Sequence, residues 1–184
     1  MASLKWISKA YFKRKERLER LSYRHQLAFD HLKEESGLIY VHLDDSTKLF
    51  TTLQVIDQKG RPWTLDLNDV PFVIQKKAEL AFSVFDKLKQ REEWDKIQDC
   101  FKQLYVLFNA RTQKGITDRL QTLHNNYGFL EGKAIQIDLG GIMKDEKIQK
   151  APEKEIKRIF SNFIDPIRCH YPEFLPYLFN TLND

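Results

Sequence analysis

Residues Gly115 to Gly141 read GITDRLQTLHNNYGFLEGKAIQIDLGG, and the reading of the whole chain turns on them. A loop carrying Asp118 opens the stretch. A polar turn with Asn125 and Asn126 follows, and then a hairpin-like segment, YGFLEGK. The short apolar run Ala134 to Ile137 delivers Asp138 just ahead of Leu139, Gly140 and Gly141. Glycines after an acidic residue let backbone come close to a ligand.

Working outward, the preceding segment has a clear helical period. Trp94, Ile97, Cys100, Phe101, Leu104, Leu107 and Phe108 mark one helix, and Ala78, Ala81, Phe82, Phe85 and Leu88 mark another before it. Further back, Leu38 to Leu43 is β-rich. Lys48 to Asp57 and Trp63 to Leu67 read as two strands of a hairpin around the turn QKGRP. Pro71 to Ile74 is one more short apolar run. Residues 4 to 33 have helical spacing at Leu4, Ile7, Tyr11, Leu18 and Leu21, although Ser22 could instead start a second helix, Tyr23 to Glu35, ended by Ser36 and Gly37. After the opening stretch, charged residues 144–157 are expected to form a solvated connection into a helix near 153–164. Asp165 and Pro166 are expected to begin another helix, and Phe174, Leu175, Leu178, Phe179 and Leu182 a docked terminal one.

Composition sets the outer limits. A chain of 184 residues with 42% hydrophobic and 12% aromatic content can bury a substantial core, so disorder is not expected. A net charge of +4 selects no partner. Cys100 and Cys169 are far apart in sequence and fit a reducing, cytoplasmic setting better than a disulfide framework, with export into a host left open. No apolar run approaches the roughly 20 residues of a membrane span, so a soluble protein is expected. The five histidines have no metal-ligand spacing, and the adjacent Cys169 and His170 make no dyad. Gly115 and Gly128 are read as turn residues.

An acidic loop residue, a loop amide and a second acidic residue after a short strand are the parts of a phosphoryl-transfer site. The first orients the acceptor hydroxyl, and the other two hold hard cations against phosphates. In that order the stretch resembles the catalytic and metal-binding segments of the protein-kinase-like fold. SYRHQLAFDHLKEESGLIYVHL (Ser22 to Leu43), FVIQKKAEL (Phe72 to Leu80) and KGITD, NNYGF and GKAIQIDLG (within Lys114 to Gly140) are similar to a family of bacterial kinase-like proteins. The resemblance covers roughly residues 4 to 142. It implies an α+β fold over 1–184: a mainly helical C-terminal lobe at 76–184, with a catalytic-loop-like segment at 114–141, preceded by a truncated N-terminal sheet within 1–75. It also implies Asp118 as the catalytic position, Asn126 and Asp138 as metal ligands, and Gln75, Asn126 and Gly140 beside a nucleotide. ATP and Mg are the cofactors if the site works. Phe72 to Gln75 would be the strand and hinge, and Glu34 or Glu35 the helix glutamate that pairs with a lysine. As a metal ligand, Asp138 is expected to be a buried carboxylate.

The departures from the family pattern are informative. Ile116 and Thr117 replace the His-Arg before the catalytic Asp, and Asp118 to Asn126 is a longer gap than H-R-D-x-x-x-x-N allows. No Gly-x-Gly-x-x-Gly occurs, the first glycine is Gly37, and no Val-Ala-Ile-Lys-like strand precedes the first helix. Three expectations follow: a catalytically impaired kinase-like binding or scaffold module that uses an exposed sheet edge to meet a protein partner; an active phosphotransferase; or an unrelated α+β interaction domain. The basic stretch with Lys5, Lys9, Lys13, Arg14, Lys15, Arg17 and Arg20 reads either as a surface for anionic lipid or nucleic acid, or as a solvated helix face whose apolar stripe packs on the domain.

Overall fold

The computed structural model describes residues 2–43, 52–67 and 70–183, with side chains described at residue 13 and from residue 15 onward. The opening helix α1 (Ala2–His31) is continuous. Ser22 starts no new helix, because Leu21, Ala28 and Leu32 hold one helical spacing across it. The single turn α2 (Lys33–Ser36) follows, and Gly37 ends it in the left-handed region at φ 66°, where a side chain would be strained.

Strand β1 (Leu38–His42) comes next. β2 (Thr52–Ile56) and β3 (Pro62–Asp66) form the expected hairpin, with Val55 opposite Trp63. The sequence reading begins β2 at Lys48; residues 48–51 lie outside the described part. β4 (Phe72–Gln75) pairs antiparallel with β1. A short β5 (Glu79–Leu80) leads into α3 (Ala81–Gln90) and the long α4 (Trp94–Gln113).

Asp118 lies on a strand, contrary to the loop expected. β6 (Ile116–Asp118) pairs with β9 (Ile142–Lys144), placing Asp118 opposite Ile142. Ile116 and Thr117 are β-branched and suit a strand, and Gly115 at φ 67° turns the chain into it. Asn125 and Asn126 belong to a helical turn, α5 (Leu123–Asn126), rather than an open turn. β7 (Tyr127–Leu130) and β8 (Lys133–Gln136) form the expected hairpin, and β7 also pairs with β5. Gly128 is therefore a strand residue. A Cβ there would come within 2.4 Å of the Glu79 carbonyl oxygen, so its role is close strand approach rather than a turn.

The expected solvated connection is shorter than thought. It contains β9 and the turn α6 (Glu146–Gln149), capped by the Asp145 carboxylate, which accepts from the Lys147 N–H at 3.0 Å. Helix α7 (Pro152–His170) runs straight through Pro166, so no new helix begins there. An interior proline costs about 3 kcal/mol. The stripe Ile156, Ile159, Phe160, Phe163 and Ile167 is fully buried, and at about 2 kcal/mol for each side chain its burial outweighs that cost. A 3-10 turn, Pro172–Phe174, precedes α8 (Leu175–Asn183).

The molecule is thus α+β and mainly helical, with small antiparallel sheets. Its main core joins α3, α4, α7, α8 and β7. Phe85 is central to it, with the rings of Phe101, Phe129, Tyr171 and Phe174 between 5.5 and 6.3 Å away. A smaller core of Leu27, Ala28, Leu32, Leu38, Ile116, Leu139 and Ile142 fastens α1 to the strands around Asp118. No helix among the described residues is long and apolar enough to cross a membrane.

Truncating Phe85 to Ala is expected to destabilise the fold by about 3–5 kcal/mol in urea unfolding. Leu18→Ala, at a position 53% exposed on α1, is expected to change it by less than about 0.5 kcal/mol.

Candidate functional site

Strand β8 delivers alternate side chains to opposite faces, and Gln136 at its end is turned into the protein and almost wholly buried. Its amide joins two charged side chains that have no contact with solvent. The Arg111 Nη1 donates to Gln136 Oε1 at 2.7 Å, and Gln136 Nε2 donates to Asp118 Oδ2 at 2.5 Å. Both Arg111 and Asp118 are 0% exposed. The other carboxylate oxygen, Asp118 Oδ1, accepts from the Leu120 N–H at 2.8 Å. Glycine at 141 is what admits this packing, since a Cβ there would lie 2.0 Å from Asp118 Oδ1.

Further groups close the arrangement. Arg111 Nη1 also donates to the Tyr127 hydroxyl at 3.3 Å, and that hydroxyl donates to Gln121 Oε1 at 2.6 Å. Gln121 returns a hydrogen bond to the Asp118 carbonyl oxygen at 2.6 Å. The Arg111 guanidinium lies 5.3 Å from the Phe108 ring centroid. Its Nε and Nη2 meet no acceptor among the described residues. From α7, Arg158 Nη2 reaches Thr117 Oγ1 and the Asp118 carbonyl, each at 3.4 Å, while pairing with Glu155 at 2.7 Å.

Burial dominates the electrostatics. It pushes the Asp118 carboxyl above the usual carboxylate range, and the Leu120 N–H and the Arg111 charge offset this only in part. Burial likewise pushes the Tyr127 hydroxyl up to about 12.

The residues singled out in the sequence do converge on the end of β8. Asn126 accepts the Ile137 N–H on its backbone oxygen at 2.7 Å, and its side-chain amide donates to the Leu120 carbonyl. Gln136 Nε2 also donates to the Asp138 carbonyl oxygen at 3.1 Å, which links Asp138 to Asp118. Gln75 Nε2 donates to the carbonyl oxygens of Ser36, Gln136 and Ile137 at 2.7, 3.2 and 3.3 Å.

Their chemistry differs from the expectation. Asp138 is exposed rather than buried. Its Oδ1 accepts from the Gly140 N–H at 2.7 Å, closing a local turn. Arg24 of α1 donates to the Gly140 carbonyl. The Gln75 side chain fastens β4 to β8 through its Nε2. Glu35 pairs with Lys114, at the end of α4. Among the described residues no group of three or more His, Cys, Asp or Glu side chains is placed to hold a metal. A cleft of about 890 Å³ is lined by α2, β1, α4 and the β7–β8 hairpin, with Lys33, Lys76, Val106 and Lys133 among its residues. Asp118, Asn126 and Asp138 do not line it.

Two residues central to this arrangement escaped the sequence reading, and both had a signal. Arg111 continues the buried spacing Leu104, Leu107, Phe108, so it had to lie on the inward face of α4. Gln136 is the polar residue inside an apolar run, where burial demands a partner.

No protein-family model, curated protein or solved structure matches the chain.

The raised carboxyl of Asp118 makes a signed prediction. The unfolded chain releases this proton near pH 3.9, and the folded chain releases it at higher pH. Across that interval the folded state binds more protons, so the contribution of Asp118 to stability falls as pH rises. The stability of wild type relative to Asp118→Asn is therefore expected to decline from pH 3.5 to 7 (a window set by about the reference carboxyl value) in parallel urea titrations. A difference that grows with pH would mean the carboxyl is held low instead.

Proposed function

We propose that this chain is a kinase-like binding module, catalytically impaired, in which the catalytic-loop residues hold the fold. The observation that carries the reading is the enclosure of Asp118. Its two oxygens are taken by Leu120 N–H and Gln136 Nε2, and its side chain is wholly buried. A general base must come within hydrogen-bond reach of the proton it removes, and no substrate hydroxyl can approach a carboxylate so enclosed.

The kinase-like part of the reading is supported by element order and convergence. A strand, two helices, the Asp118 strand, the Asn126 turn, a hairpin and the Asp138 turn follow one another, and Asp118, Asn126 and Asp138 meet at the end of β8. The binding part is supported by the β2–β3 hairpin, where Trp63 and Leu65 share one face with Val55 and Leu53 and are 50% and 40% exposed. A lone two-stranded hairpin is marginal in water, and clustered exposed apolar side chains mark contact surfaces.

The same convergence favours the alternative of an active Mg-ATP phosphotransferase, with exposed Asp138 as its metal ligand. A thermal-shift titration with Mg and ATP, run beside Asp138→Asn, separates the two. Ligand bound only by the folded state must raise its melting temperature. The expected result is no Mg-dependent shift at millimolar ATP and no release of the γ-phosphate. A shift that needs both Mg and Asp138, with phosphate release, would overturn the proposal.

A further inference from the structure

The chain's positive charge is concentrated at one end. Residues 1–24 hold eight basic and two acidic residues, a net of +6, and residues 25–184 hold 22 basic and 24 acidic, a net of −2. This charge sits on α1, a helix of 30 residues and so about 45 Å long. Among the described side chains its later part is packed: Leu27 and Ala28 are buried in the smaller core, and Arg24 holds the Gly140 carbonyl. Every described side chain before Leu21, at positions 13 and 15 through 20, is exposed. Leu18 belongs to the apolar stripe Leu4, Ile7, Tyr11, Leu18, Leu21, yet it is 53% exposed. At that point the stripe does not pack on the domain.

We infer that α1 is an arm that docks the protein on an anionic lipid bilayer. Charge complementarity selects an anionic partner, because a second copy would bring two arms of the same sign together. The remainder of the chain carries the opposite sign, so an anionic surface attracts the arm and repels the body. The apolar stripe selects lipid over nucleic acid. A basic helix with apolar residues at helical spacing lies in the bilayer interface with its stripe in the acyl boundary, whereas a phosphate backbone offers Leu18 nothing to bury against. Each Lys or Arg near such a surface strengthens binding by roughly fivefold. The base of the arm touches the Asp138–Gly141 turn through Arg24, so docking would place that turn at the membrane side of the body.

The test is co-sedimentation of the full chain with phosphatidylcholine vesicles, with and without phosphatidylglycerol. Binding is expected only to the anionic vesicles, and it should weaken as salt is added. Replacing Lys13, Lys15, Arg17 and Arg20 together by Gln is expected to weaken it about a hundredfold or more. These positions are exposed, so the circular dichroism and melting temperature of the variant should match wild type. Leu18→Gln, with the charge kept, is expected to weaken binding about tenfold through the lost apolar burial. Equal binding to neutral vesicles, undiminished binding by the four-site variant, or no vesicle binding would each overturn the inference. So would tight binding to a duplex oligonucleotide without vesicle binding, or a concentration-dependent dimer that the four-site variant abolishes.

Discussion

The end of β8 depends on one buried relay: Arg111 to Gln136 to Asp118. Two opposite charges without solvent contact are costly to bury, and their attraction offsets that cost only when hydrogen bonds satisfy what remains. The Gln136 amide does this in a directional way. Its oxygen faces the guanidinium and its nitrogen faces the carboxylate, so it has a complementary atom for each. Because Arg111 stands on α4, Gln136 on β8 and Asp118 on β6, the relay joins the helical core to two of the small sheets, β5–β7–β8 and β6–β9. Arg158 extends it to α7, and Gln75 carries the tie from β8 to β4 and the end of α2.

This arrangement bears on what an acidic residue followed by a loop amide and a second acidic residue can do. The same residue types in the same order would suit a phosphoryl-transfer site if the first carboxylate faced a cleft. Here it faces the interior, where burial disfavours its charge and the Leu120 N–H and the Arg111 charge offset this only in part. The second carboxylate, Asp138, faces solvent and closes its own turn. The two are linked through one amide, yet they do not point into a shared opening that the large cleft provides. Such a site positions backbone, and its polar groups act as fasteners.

Much of the fold was legible in the sequence. The helical periods of α3 and α4, the two hairpins, and the apolar run ahead of Asp138 all stand in the structure, because each rests on a local pattern that packing reinforces. The single helix read over residues 4–33 also stands, without the alternative start at Ser22. Two readings failed where a longer-range term prevailed. Pro166 looks like a boundary locally, but a buried stripe runs through it. Asp118 reads as a loop residue until β9, more than 20 residues later, is available to pair with it. Residue type and order in the sequence single out Asp118, Asn126 and Asp138 but do not give their environment, since the packing around Asp118 involves Gly141 and Arg111 from other elements. Spacing along α4 and the lone polar residue in β8 were the available signs of that relay.

The most direct measurement is a double-mutant cycle on Arg111→Met and Asp118→Asn by urea unfolding, repeated in a Gln136→Leu background. If the relay is the fastening described, the two residues should couple by about 2 kcal/mol, and the coupling should vanish without Gln136. Additivity within about 0.5 kcal/mol in the parent protein would contradict it, and Asp118 would have to be regarded again as a residue free to act on a ligand.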